Sequence, residues 1–241
     1  MSRTPPKSRT EMEQAEEKYK KKLETEEKLG RKEGMADAYG NLGTIYLTLG
    51  HLDKAEEMFK KCLELEEALA DKEGMASDYG YLGTIYQMRS DLEQAEIMYK
   101  KSLEINQELG RKEGMATIYG KLGEIYYTRR DLDKAEDMFK KSLEVEEKRD
   151  NKGAMATAYG YLGDICRIRT DLDQAEEMYN KGLKLFEAIG SEQMIEIMRT
   201  MLTNLKMKKE GVCKVRIENK MTKMETPGIM EIGLVVKKAS E

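Results

Sequence analysis

Apolar positions along this chain step by threes and fours, and the whole pattern returns every 40 residues. From about Lys32 to Leu49 the series is Met35, Tyr39, Leu42, Tyr46 and Leu49, which places all five on one face of an α-helix. Gly50-His51 interrupts it, and Leu52, Ala55, Phe59, Cys62, Leu63 and Leu69 mark a second stripe. One period therefore predicts two amphipathic helices, A and B. The echo is literal at Glu33-Gly34-Met35-Ala36, Glu73-Gly74-Met75-Ala76 and Glu113-Gly114-Met115-Ala116, and looser at Lys152-Gly153-Ala154-Met155-Ala156. A unit of this size cannot bury its own apolar face, so copies must stack, and the resulting all-α solenoid offers a long surface to another macromolecule.

The punctuation agrees with this division. Helix B begins at Asp91-Leu92, Asp131-Leu132 and Asp171-Leu172, where the aspartate is placed to cap free backbone N–H groups. Gly30, Gly110 and Gly190 stand where helix B should end, since glycine takes the left-handed exit conformation without strain. Extending the period outward gives residues 1–10 as a disordered start and 11–30 as a half repeat, helix B alone, with Ala15, Tyr19 and Leu23 on its stripe. Residues 31–190 form four complete A/B pairs, and 191–208 a capping helix. The remainder, 209–241, has β-branched runs around Pro227-Gly228 and reads as a weak hairpin or as disorder. Gly43, Gly83, Gly123 and Gly163 recur inside helix A, where glycine costs about 0.8–1 kcal/mol relative to alanine. The expected cause is close approach to helix B, with Ala55 and its equivalents opposite.

Composition narrows the function classes. Charged residues are 37% of the 241 and the net charge is -4, with Lys and Glu interleaved. No basic field exists to neutralise a run of phosphates, so nucleic acid is not an expected partner. Glu56 precedes Lys60 by four, as do Glu57 and Lys61, Glu96 and Lys100, Glu136 and Lys140, and Glu177 and Lys181, the signature of solvated helix faces. Cys62, Cys166 and Cys213 are far apart and suggest neither a disulfide framework nor a zinc site; Cys62 reads as a small packing residue. No metal and no cofactor are expected. No segment has the length and apolarity of a signal peptide or a membrane span, so no membrane is expected and a cytoplasmic location is the default.

With the landmarks in place, a resemblance can be stated. Tyr39, Leu42, Gly43, Tyr46, Ala55, Phe59 and Cys62 stand at the spacing of the tetratricopeptide repeat, and the match returns through Tyr79-Leu82-Gly83-Tyr86-Ala95-Tyr99-Ser102 and Tyr119-Leu122-Gly123-Tyr126-Ala135-Phe139-Ser142. The fourth copy keeps Tyr159-Leu162-Gly163, Ala175, Tyr179 and Gly182 but has Cys166 in the second tyrosine slot. Over residues 11–208 the chain resembles the lengthened 40-residue class of the family, that of microbial arrays, Leu-Gly-Asn repeat regulators and kinesin light chains. The resemblance implies a right-handed superhelix of antiparallel helical hairpins, acting as a non-enzymatic protein–protein interaction scaffold. It also implies that a protein or peptide ligand lies along the concave wall of A helices.

Slots on that wall should vary if each copy reads a different part of a ligand, and they do. One runs Asn41, Tyr81, Lys121, Tyr161; a second Thr44, Thr84, Glu124, Asp164; a third Leu47, Gln87, Tyr127, Arg167. The candidate contacts are Asn41, Thr44, Tyr81, Thr84, Lys121, Glu124, Tyr127, Tyr161, Asp164 and Arg167. Tyr81, Tyr127 and Tyr161 lead, because aromatic residues dominate binding hot spots and the repeat's own packing does not call for them. Gly40 fills the slot where family members that grip a terminal carboxylate place lysine, so that clamp is not expected. The single histidine, His51, reads as an exposed helix-start residue, and no catalytic residues are expected. The alternative reading is self-assembly: residues 11–29 lack a preceding helix A, which predicts a homodimer through that face or fraying of the helix.

Overall fold

The structure, a computed structural model, describes residues 9–210; the expectations for residues 1–8 and 211–241, Cys213 included, fall outside them. The described residues divide into two compact units, the first ending at Arg149 and the second beginning at Asp150. The first contains α1 (Arg9–Leu29), α2 (Lys32–Thr48), α3 (Leu52–Leu69), α4 (Lys72–Met88), α5 (Leu92–Glu108), α6 (Lys112–Thr128) and α7 (Leu132–Lys148), and the second α8 (Lys152–Ile168), α9 (Leu172–Ile189) and α10 (Glu192–Lys209). No strand occurs among the described residues. The helix that follows the polar start begins at Arg9 rather than Glu11, so two residues assigned to disorder are helical.

Within the first unit, α2 pairs with α3, α4 with α5 and α6 with α7, while α1 packs on α2, α3 on α4 and α5 on α6. These hairpins repeat one arrangement because the same positions are apolar in each copy. Around the first pair, Leu42, Tyr46, Ala55 and Phe59 join Leu82 and Ile85 of the next hairpin in a buried cluster. Burying a Leu- or Phe-sized side chain is worth about 1.5–3 kcal/mol, so each such layer ties one hairpin to its neighbour. In the second unit α8 pairs with α9, and α10 closes against α9 through Ile197, Met198, Met201 and Leu205, all buried.

The helix A glycines are contact points, though not against alanine. A Cβ placed on Gly83 would lie 2.6 Å from the Tyr99 ring, and one on Gly43 2.9 Å from the Phe59 ring. The aromatic ring of helix B, rather than Ala55 or Ala95, therefore occupies the space that glycine leaves. The expected caps are present: Asp91, Asp131 and Asp171 accept from the backbone N–H of Gln94, Lys134 and Gln174 at 3.1, 3.3 and 3.2 Å. His51 takes the same position on α3 without a side-chain cap bond. Among the described residues, the turns also hold the non-glycine residues Ala70, Ser90, Arg130, Asp150 and Thr170 at positive φ, which spacing alone does not reveal.

The charged face of helix B is more than a solvated surface. Glu56 is bonded not only to Lys60 at 2.6 Å but also to the Tyr86 hydroxyl at 2.7 Å and to Arg89 of the following hairpin. Glu96 repeats this with Lys100, Tyr126 and Arg129, and Glu16 takes the Tyr46 hydroxyl at 2.8 Å. Burial pushes the Glu56 and Glu96 carboxyls up, but the hydrogen bonds from lysine, tyrosine and arginine outweigh it and hold each at about 2.

Candidate functional site

The A helices of the first unit, α2, α4 and α6, carry the variable slots, and α4 contacts α6 directly. Asn41 is half-buried on α2; its amide donates to the Asp37 carbonyl at 2.6 Å and to the Asp37 carboxylate at 3.1 Å. On α4, Tyr81 is half-buried and lies flat on Phe59 of α3, ring centroids 4.7 Å apart with 9° between planes. That stack fixes the ring and leaves part of it open. Thr44 is buried with its hydroxyl on the Gly40 carbonyl at 3.0 Å.

From Thr84 a polar chain crosses to the next A helix. The Thr84 and Tyr99 hydroxyls are 3.2 Å apart, and Tyr99 donates to Gln87 at 2.8 Å. Gln87 donates to Glu124 of α6 at 3.0 Å, and Lys121 reaches the same carboxylate oxygen at 3.0 Å. Glu124 is buried and Lys121 half-buried, so the chain ends in an ammonium group at the surface. Thr84, Gln87, Glu124 and Lys121 stand in the variable slots, but the part of Tyr99 is not visible in the spacing: its ring belongs to the repeat core, while its hydroxyl joins this polar chain. The signal was available in the alternation Phe59, Tyr99, Phe139, Tyr179 at that core slot.

Tyr127 and Tyr161 depart from expectation. They are 2% and 1% exposed, so the fold itself packs them. In the second unit Asp164, fully buried, accepts from Arg167 Nε at 3.0 Å, Arg167 Nη2 at 2.7 Å and the Tyr179 hydroxyl at 2.8 Å. Burial works against the Arg167 charge, yet Asp164 overrides it and raises the pKa of the guanidinium; burial and Asp164 together push the Tyr179 hydroxyl up. All three bonds fall on Asp164 Oδ1, while Oδ2 is buried without a hydrogen-bond partner; an internal ion pair of this kind costs several kcal/mol if one partner is removed. Among the described residues, Cys62, Glu66 and Asp78 come together as potential metal donors. No helix of the described residues is long and apolar enough to cross a membrane.

This repeated hairpin, with glycine against ring at each A/B crossing, is the tetratricopeptide architecture. The family model described as tetratricopeptide repeat matches residues 9–68, 35–108, 74–148 and 114–188, and the chain belongs to that family. Solved structures with the same fold include BtubC (BKLC) from P. vanneervenii, 19% identical with a TM-score of 0.62 over 89% of this chain and 98% of that one. Another is a signal transduction ATPase with numerous domains bearing a tetratricopeptide repeat sensor, from Pyrococcus horikoshii. It is 21% identical with a TM-score of 0.62, over 68% of this chain and 26% of the ATPase. The apo form of RapI is 14% identical with a TM-score of 0.65, over 78% of this chain and 54% of RapI. The chain thus corresponds to about a quarter of the ATPase and about half of RapI. No match was found among curated proteins. Tetratricopeptide repeats generally mediate protein–protein interaction, and the family is typically a non-catalytic scaffold.

Proposed function

We propose that this chain is a non-enzymatic scaffold that holds an extended peptide or a helix of a partner protein against α2, α4 and α6. The observation that carries the reading is the contrast between slots: core positions repeat from copy to copy, whereas the half-buried wall positions are Asn41, Tyr81 and Lys121, an amide, an aromatic ring and a cation. Side chains that stabilise only the hairpin have no reason to differ in this way. Tyr81, braced on Phe59, supplies the apolar anchor; Lys121, anchored by Glu124, supplies a charge for a carboxylate or carbonyl of the ligand; Asn41 reads backbone. Thr44, Thr84 and Tyr127 form the floor beneath them. Because these groups are already held by neighbours, binding loses little side-chain freedom.

Peptides selected on the immobilised full chain from a random display library test this. Tyr81→Ala and Lys121→Ala should each weaken the selected peptides at least about tenfold, as loss of a hot-spot side chain does, with helicity unchanged by circular dichroism. Peptides that bind both variants as they bind wild type place the ligand elsewhere. A second reading, self-association through α1, is favoured by one observation: α1 has no buried residue, whereas Ala55, Phe59 and Cys62, the equivalents of Ala15, Tyr19 and Lys22 on the next helix B, are 0% exposed.

A further inference from the structure

Cys62 and Glu66 lie one turn apart on α3, and Asp78 meets them from α4. The three are 0%, 3% and 0% exposed, and one donor atom of each lies within 4.8 Å of the others. Cys62 Sγ donates to the Ala36 carbonyl at 3.1 Å and stands 3.4 Å from Glu66 Oε1. The repeat does not require this trio. In other copies the Cys62 slot holds Ser102, Ser142 and Gly182, the Glu66 slot Asn106, Glu146 and Phe186, and the Asp78 slot Ala38, Ile118 and Ala158. Sulfur and two carboxyl groups coincide at a single step of the period, and they do so by placing an acid in a slot that is otherwise apolar. A thiol and two carboxyl groups buried within reach of one another present a donor set whose negative charge a bound cation would compensate.

We propose that Cys62, Glu66 and Asp78 form a binding site for a thiophilic divalent cation of the zinc class, pinning α3 to α4. A thiolate with two carboxylate oxygens suits zinc, whereas calcium and magnesium demand six or more oxygens. Tetrahedral bonds of about 2.3 Å to sulfur and about 2.0–2.2 Å to oxygen set sulfur and oxygen about 3.5 Å apart, close to the 3.4 Å between Cys62 Sγ and Glu66 Oε1. Binding releases the Cys62 thiol proton, and any proton held by the carboxyls, to solvent; nothing is oxidised or reduced. Water takes the fourth position. The donors fall in the order Cys-x3-Glu-x11-Asp, which is no recognised zinc spacing, so the cysteine reads from sequence as a packing residue only. Asp78 and Tyr81 share α4 three residues apart, so the cation would also stiffen the helix that presents Tyr81.

The test uses the full chain, purified from zinc-supplemented cells and, separately, stripped with chelator and titrated with Zn²⁺ and Co²⁺. Asp78→Ala and Cys62→Ser copy residues that other repeats carry at those slots, so both are expected to fold. Wild type should retain one zinc per chain, unfold at higher temperature with the metal than without, and give a thiolate-to-cobalt charge-transfer band. Cys62→Ser should lose the band, and Asp78→Ala should lose affinity by more than the about 10–100-fold that removal of an outer partner costs. Wild type that binds no zinc, or binding that is equal in both variants and therefore adventitious, overturns the proposal. If Asp78→Ala does not fold, the cobalt spectrum of Cys62→Ser against wild type decides alone.

Discussion

At Gly83 helix A accepts the propensity cost of glycine because a side chain there would meet the Tyr99 ring at 2.6 Å. Alanine would regain about 1 kcal/mol of helix propensity, but overpacking a close crossing costs about 1–3 kcal/mol, and the rigid ring has Thr84 and Gln87 on its hydroxyl. Gly83→Ala should therefore lower the urea midpoint, and Gly83→Leu should do so further; unchanged unfolding of both would show that the ring yields. Thr170 is the opposite case, a β-branched residue at φ 64. Left-handed conformation costs an L-residue about 1–2 kcal/mol, partly offset by the freedom glycine gains when unfolded, so Thr170→Gly should raise stability by about 0.5–1 kcal/mol. A fall would show that the Thr170 hydroxyl, bonded to the Arg169 carbonyl at 2.6 Å, contributes more than the strain. At this scale the sequence told that glycine marks a close approach, but not what approaches. Periodicity assigns a residue to a face and says nothing of which neighbouring side chain fills the gap; that is also why Tyr127 and Tyr161 read as ligand contacts and prove to be packed by the fold.

The helices were largely legible because their signals are local. Stripe, cap and stop all lie within one element, and α2 runs Lys32–Thr48 where the pattern places it. Contacts between elements were not legible, and the Glu56 and Glu96 clusters illustrate the reason. Each glutamate has a lysine four residues on, which the sequence displays, and a tyrosine and an arginine 30 and 33 residues on, which only the stacking of hairpins brings near. These clusters carry a pH dependence whose sign is fixed. The carboxyls lie at about 2 in the folded chain against an ordinary 4.5, so they contribute stability above the unfolded value and lose it as pH falls from about 5 towards 2. Glu56→Gln/Glu96→Gln should be less stable than wild type at pH 7 by about 1 kcal/mol or more per site, and the gap should close as the solution is acidified. A gap that stays constant down to pH 2 would mean that the charges add nothing to the hydrogen bonds.

For the molecule as a whole, stability in a repeat array is approximately a sum of hairpin terms and nearest-neighbour contacts, and α1 is the poorest contributor on that account. Tyr19 and Leu23 touch the first core cluster, yet no residue of α1 is buried, and Leu29 is 54% exposed. Two polar links to α2 help, the Lys22–Asp37 ion pair and the hydrogen bond that the Tyr46 hydroxyl donates to Glu16, but an exposed ion pair is worth only about 0–1 kcal/mol and a single hydrogen bond to a charged group about 1.5–3 kcal/mol. Covering one Leu-sized group would be worth about 1.5–3 kcal/mol, enough to favour contact between two copies when concentration permits, with an isologous arrangement covering both faces at once. The expected outcome is therefore double: in dilute solution the amides of residues 11–29 exchange faster than those of α3, and their protection rises with protein concentration while that of α3 does not. Light scattering over the same series should show the mass rising in step, and Leu23→Glu should abolish the rise. A mass independent of concentration, together with protection of α1 equal to that of α3, would mean that its half-buried stripe suffices without a second copy, leaving the peptide-binding wall as the reading of this chain.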